Sequence, residues 1–310
     1  MLAVLNFKKI VFFVLVAICL FPFVNAPIAL VMGIVMANTL ANPFEASSAN
    51  TVKWLLKFAV VGLGFGMNFY SAVQAGKDGL IFTMATIALV LTLGWILGKI
   101  LNVDPKTSFL VSSGTAICGG SAIAAVAPII DADSKQISVA LGTVFILNAA
   151  ALLFFPIVGH YFELSQFQFG LWSAIAIHDT SSVVGAASEY GADALETATT
   201  IKLGRALWII PLSILTVYLN KKNKNKINIP YFIGLFILAM VVNTMFPQYE
   251  PVYTWIVLVA KKALVVTLFL IGSGLSIRII RSVGAKTFLQ GLLLWIVISI
   301  VSLAVIISIY

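Results

Sequence analysis

Ser112-Ser113-Gly114-Thr115-Ala116-Ile117-Cys118-Gly119-Gly120-Ser121-Ala122-Ile123-Ala124-Ala125-Val126-Ala127-Pro128 is apolar on average, yet its middle is a poor helix interior. Each glycine of the Gly119-Gly120 pair costs about 1 kcal/mol relative to alanine, and Ser121 is an N-cap residue. A break inside the apolar segment is therefore expected. A helix restarting after Ser121 would aim free backbone N–H groups and the positive end of its dipole at the middle of the segment, which suits an anion. The competing reading is close helix approach, for which Gly, Ala and Ser are also the residues used.

His178-Asp179-Thr180-Ser181-Ser182 interrupts a later apolar segment in the same way. Asp, Ser and Thr are N-cap residues, so a second half-helix is expected to begin here, with hydroxyls ready to donate to an oxyanion. His178 titrates near neutral pH and suits a proton carrier, or else serves as a hydrogen-bonded helix contact. Lys202 and Arg205 follow, three residues apart and so on one helical face, in the middle of another apolar segment. A charge at that depth costs at least about 2.5 kcal/mol and is expected to face protein, water or ligand. Pairing with Asp179 or Glu196 is the structural alternative.

The composition around these motifs is that of a chain in lipid. Of 310 residues 61% are hydrophobic and 10% charged, with 22 Phe and 6 Trp, which excludes both a water-soluble globule and a disordered chain. The mean hydropathy is +1.09. The formal charge of +8 is read as a topology signal, so nucleic acid is discounted. Cys19 and Cys118 both lie in apolar segments and offer no disulfide framework or thiolate metal site, and with two histidines no metal site is expected.

Apolar runs fall at 10–24, 27–41, 52–70, 79–98, 107–130, 136–159, 169–188, 195–219, 230–246, 253–275 and 287–309, which reads as about eleven transmembrane helices. The first imitates a secretory signal, but Pro27 would obstruct cleavage after Ala26, so it is kept as a span. With the N-terminus cytoplasmic, the inside segments collect Lys8, Lys9, Lys53, Lys99, Lys106, Lys221, Lys222, Lys224, Lys226, Arg278, Arg281 and Lys286. Only Lys77 and Lys135 fall outside, so the C-terminus is placed outside. Lys57, Lys261 and Lys262 lie close enough to loops to snorkel.

Two internal matches suggest repeats. Pro27–Gly76, with Asn38-Thr39 and then Gly62-Leu63-Gly64-Phe65-Gly66-Met67-Asn68, resembles Pro230–Gly284, with Asn243-Thr244 and then Ile271-Gly272-Ser273-Gly274-Leu275-Ser276. Spans two, three and four thus match nine, ten and eleven, an odd offset that makes these copies inverted in the membrane. Cys118-Gly119-Gly120-Ser121 also matches His178-Asp179-Thr180-Ser181, but those lie two spans apart, which gives parallel copies. Either the second match is chance or one of its segments is re-entrant. The chain is taken as one polytopic domain over 1–310, with a first repeat at 27–159, a second at 169–309 and an extra span at 10–24.

Three stretches, Thr115 to Pro128, Ile177 to Ala186 and Lys202 to Pro211, resemble in order the YeiH/UPF0324 family of integral membrane proteins, a family labelled as sulfate exporters. The resemblance spans nearly the whole chain. It implies an all-α inverted-repeat secondary transporter with two discontinuous helices, in the bacterial inner membrane. The expected activity is secondary transport of a small anion, a sulfate-like oxyanion or a related sulfur or organic anion, coupled to H⁺ or Na⁺. Cys118, Gly119, Gly120, Ser121, Thr180, Ser181, Ser182, Lys202 and Arg205 form the expected substrate-binding set, with His178 and Asp179 coupling the ion. The alternative is a Na⁺/proton antiporter built on Asp179. More remote is an intramembrane serine protease using Ser121 and His178, which lacks an acid placed to orient the imidazole. No enzyme activity, cofactor or ATP-binding motif is expected, and the chain is compatible with a homodimer.

Overall fold

The computed structural model of the chain describes residues 2–219, 231–277 and 284–310, and every regular element among them is helical. The helices are α1 (Leu2–Cys19), α2 (Ala26–Thr39), α3 (Glu45–Gly64), α4 (Phe69–Ile100), α5 (Pro105–Ala116), α6 (Gly120–Val126) and α7 (Ser134–Tyr161). They continue with α8 (Gln166–Ala176), α9 (Thr180–Tyr190), α10 (Ala192–Ala206), α11 (Ile209–Leu219), α12 (Tyr231–Met245), α13 (Glu250–Gly274) and α14 (Ala285–Ile309). Phe82–Ile100, Lys135–Tyr161, Ala192–Tyr218, Pro247–Gly274 and Ala285–Ile309 are each long and apolar enough to cross a membrane. Lys221, Lys222, Lys224, Lys226, Arg278 and Arg281 lie outside the described residues.

Several boundaries differ from the hydropathy reading: the run 195–219 divides into α10 and α11 at Leu207-Trp208, and two others follow from capping. The first helix stops at Cys19, because Asn25 caps a new one by accepting the Ile28 N–H at 3.1 Å, with Pro27 in its first turn. The third begins at Glu45 and stops at Gly64 rather than running over 52–70. Asn68 then accepts the Tyr70 N–H at 2.9 Å and starts α4, so one apolar run becomes the end of one helix and the start of the next.

The chain folds into two compact units, each drawing on both halves of the sequence. The first holds α1–α3, the first turn of α4, α12 and α13. Its core includes Phe12, Cys19, Ala29, Met36, Val265 and Phe269. Gly33 and Gly272 face each other where α2 crosses α13: a Cβ on Gly33 would lie 2.2 Å from the Phe269 carbonyl oxygen, and one on Gly272 2.3 Å from that of Leu30. Two asparagines act reciprocally. Asn38 at the end of α2 donates to Leu275 O (3.2 Å) and accepts the Ile277 N–H (2.7 Å), just past α13. Asn243 at the end of α12 donates to Met67 O (3.2 Å), and its neighbour Thr244 accepts the Phe69 N–H (2.9 Å), just past α3.

The second unit holds the rest of α4, α5–α11 and α14. Segments 107–130 and 169–188, each expected to cross the membrane once, fold back instead as helical hairpins. Lys106 Nζ donates to Asp131 O at 2.6 Å, and Gln136 Nε2 to Asp104 Oδ1 at 2.9 Å. A straight helix would hold Lys106 and Asp131 about 37 Å apart. Likewise Tyr190 Oη donates to Leu164 O at 2.6 Å, the Phe169 and Tyr190 rings stack at 3.8 Å, and Gln166 Oε1 accepts the Asp193 N–H at 2.9 Å. The arms of the second hairpin, α8 and α9, have 11 residues each, about 16 Å, roughly half a hydrocarbon core. Hydropathy cannot distinguish two half-depth arms from one full crossing, because both are apolar.

Helix α7, 28 residues long, links the hairpin mouths. The first mouth is tied to its N-terminus through Gln136, and the second lies at its C-terminus, where His160 stacks on Tyr190 at 4.4 Å. Asp104 closes the first mouth as N-cap of α5, accepting from Thr107 N and Gln136 Nε2, both at 2.9 Å. The Thr107 backbone N–H, joined by the Thr107 hydroxyl and the Gln136 amide, holds its carboxyl below the usual range. A lowered folded-state pKa means a contribution present above the unfolded value, near 3.9, and lost as pH falls through the folded one. Asp104→Ala should cost about 1 kcal/mol at pH 7, and the difference from the parent protein should shrink below about pH 4 in acid titrations of thermal stability.

Candidate functional site

The hairpin tips meet beside the midpoint of α7. The first tip passes through Gly119 at φ +62°, a conformation that favours glycine. A side chain there would also meet Val144 Cγ1 at 3.2 Å, Asp179 Cβ at 3.4 Å and His178 O at 3.5 Å. At the second tip Asp179 is the N-cap of α9, and its Oδ2 accepts from Ser182 N and Ser182 Oγ, both at 3.2 Å, and from Ser181 Oγ. The His178 N–H donates to Asn148 Oδ1 at 3.0 Å, which binds the tip to the middle of α7.

Lys202 and Arg205, wholly buried on α10, serve the opposite helix ends. Lys202 Nζ donates to Ile177 O at 2.6 Å and to Ala174 O at 3.3 Å. Arg205 donates through Nε (2.8 Å) and Nη2 to Ala116 O, and through Nη1 (3.0 Å) to Ile175 O. These carbonyls close α5 and α8, where the last turn of a helix has no intrahelical donors and the dipole is negative. Arg205 thus ties the two hairpins together. Neither cation forms an ion pair with Asp179 among the described residues.

Cys118 and Gly119 are therefore brought next to His178 and Asp179, with Lys202 and Arg205 behind the tips. Thr180, Ser181 and Ser182 are buried in the first turn of α9. Gly120 and Ser121, at the start of α6, are half-buried and exposed. Both ring nitrogens of His178 lack a partner, so Ser121 makes no hydrogen bond to it. No group of three or more His, Cys, Asp or Glu able to hold a metal occurs among the described residues.

Other buried side-chain atoms without a partner are Asn148 Nδ2 on α7, Ser113 Oγ and Thr115 Oγ1 on α5, and Thr199 Oγ1 on α10. Each would cost about 1–3 kcal/mol if nothing met it, and of these Asn148 is the one tied directly to a tip, through His178. Sequence reading missed Asn148, although a lone asparagine in the apolar run 136–159 was a usable signal.

Residues 8–304 match the family model described as conserved hypothetical protein 698. A UPF0324 membrane protein of Bacteroides thetaiotaomicron is 51% identical over 286 residues, 91% of this chain and 86% of its own. The chain belongs to the UPF0324 family. Another UPF0324 membrane protein, from Vibrio vulnificus, is 48% identical over 97% of this chain and 98% of its own, and one from Geobacter sulfurreducens 47% over 96% of each. The UPF0324 relatives are named as membrane proteins, in keeping with the spans described above, and the resemblance read from the three motifs holds. No solved structure matches this UPF0324 chain.

Proposed function

We propose that this membrane protein is a secondary transporter of a small anion, a sulfate-like oxyanion first, bound where the hairpin tips meet. The observation that carries the reading is that two wholly buried cations hold the carbonyls just before the two tips, where the His178 ring and the Asn148 amide nitrogen are buried without partners; buried polar groups within apolar segments are costly unless used. In this reading Cys118, Gly119, Gly120, Ser121, Thr180, Ser181 and Ser182 surround the anion, and Lys202 and Arg205 hold the positive field. His178 or Asp179 carries the coupling H⁺ or Na⁺. The protein performs no covalent chemistry.

Re-entrant hairpins support an inverted repeat. A hairpin leaves the chain on the side it entered, so α5–α6 with α7 and α8–α9 with α10–α11 become opposed copies, removing the parity conflict. The reciprocal asparagines of the first unit support a second inverted pair, α2–α3 and α12–α13. The same geometry moves Lys135 to the side of Lys106, which strengthens a cytoplasmic N-terminus and an external C-terminus in the bacterial inner membrane.

Thermal unfolding of the purified protein tests the proposal against sulfate, sulfite, thiosulfate, small sulfonates, carboxylates and Na⁺ at two pH values. An anion at 100 times its Kd should add about 2.7 kcal/mol of apparent stability. Stabilisation by Na⁺ alone, lost in Asp179→Asn, would replace this reading with cation/proton antiport.

A further inference from the structure

Asn148 is 3% exposed and lies halfway along α7. Its amide orientation is determined by chemistry, since the His178 main-chain N–H can only donate and so must face the oxygen. Nδ2 is left with two N–H donors and no acceptor. The residue it anchors, His178, is 0% exposed, and its ring has no partner at either nitrogen. Two buried residues joined by one hydrogen bond thus both present unused nitrogen groups. Lys202 and Arg205, by contrast, direct N–H groups at the carbonyls of Ile177 and Ala116, immediately before the two tips.

We infer that Asn148 and His178 are the direct ligand contacts of the site: Asn148 Nδ2 and a His178 ring N–H donate to separate oxygens of a small oxyanion. With His178 on the anion, Asp179 is left to carry the coupling ion, and Lys202 and Arg205 act on the anion through their field, not by contact. This rests on the anion-transport reading and names the residues that recognise the anion. An amide nitrogen is donor-only, and two cations outnumber the single carboxylate, Asp179, whose Oδ2 already accepts three bonds. An acceptor-rich anion fits the donor-only Asn148 nitrogen, which a metal cation cannot use.

Two variants test the pair while sparing the protein's own hydrogen bonds. Asn148→Asp keeps an oxygen for the His178 N–H and replaces the donor by a carboxylate oxygen. His178→Phe keeps a ring of similar shape and removes two nitrogens that have no protein partner. With sulfate, sulfite and thiosulfate as probes, the anion that stabilises the parent protein should bind each variant about 10- to 100-fold more weakly, the loss of a hydrogen bond to a charged ligand. The anion-free melting temperature of His178→Phe should stay near the parent value, so this variant decides the matter if Asn148→Asp does not fold. Unchanged anion affinity in His178→Phe or in a folded Asn148→Asp overturns the contact assignment and leaves the transport reading standing. The same holds if only the anion-free stability moves, as it would if water alone filled the space. A parent protein that none of the anions stabilises overturns both.

Discussion

Arg205→Ala should lower the stability of the protein by about 3–5 kcal/mol, the scale seen when one partner of a buried charged network is removed. The guanidinium donates three hydrogen bonds to two carbonyls, Ala116 O and Ile175 O, on different hairpins. Alanine leaves both buried oxygens without a donor, at about 1–3 kcal/mol each, and opens a cavity where a wholly buried side chain stood. Arg205→Lys should recover only part, because an ammonium keeps the charge but lacks the planar fork that reaches both carbonyls. Denaturant unfolding in detergent, followed by intrinsic fluorescence, measures this. A loss below 1 kcal/mol for Arg205→Ala would mean that the tips are held by other contacts. The effect also bears on function assays: lost transport in Arg205→Ala reports a displaced tip as readily as a lost ligand contact, and so does not by itself identify the binding group.

Gly33→Leu should be nearly as damaging, about 3 kcal/mol, through α2 and α13. A Cβ at Gly33 falls 2.2 Å from Phe269 O and 2.7 Å from Ser273 N, which are backbone atoms and cannot rotate away. The helices must separate, forfeiting contact along their crossing and straining the hydrogen bond from Asn38 to Leu275 O. Gly272→Leu should match it, since its Cβ would meet Leu30 O at 2.3 Å from the other side of the same crossing. Gly234 on α12 is the control: nothing lies within 4 Å of its Cβ position, so Gly234→Ala should be neutral or stabilising by up to about 1 kcal/mol. Melting temperatures of the three variants in one detergent decide the matter. A tolerated leucine at Gly33 would contradict the crossing.

Much of the site was legible before any fold was known. Gly119-Gly120 and Asp179 marked the breaks because a glycine pair and an N-cap residue interrupt a helix by local conformational preference alone, whereas Ser121, expected as the cap, lies inside α6, whose N-cap is Gly119. Lys202 and Arg205 stood out because charge in an apolar run is costly wherever the run ends up. Their partners were not legible. Main-chain carbonyls carry no sequence signature, so the bonds to Ala116, Ile175 and Ile177 could not be read from any residue type. Asn148 was visible as a letter but not as a neighbour of His178, 30 residues away.

Composition and hydropathy by themselves determined that the chain is helical and lies in a membrane, since transferring apolar segments out of water depends only on the segments. Local chemistry determined where the helices stop. Whether segments 107–130 and 169–188 cross the bilayer or turn back was decided only by tertiary structure. A half-depth arm facing protein and a full crossing facing lipid bury the same apolar side chains. What separates them is closure between residues about 25 apart, through the bonds of Lys106 to Asp131 O and Tyr190 to Leu164 O. That closure also converts two motifs that read as parallel in the sequence into tips meeting from opposite ends of α7.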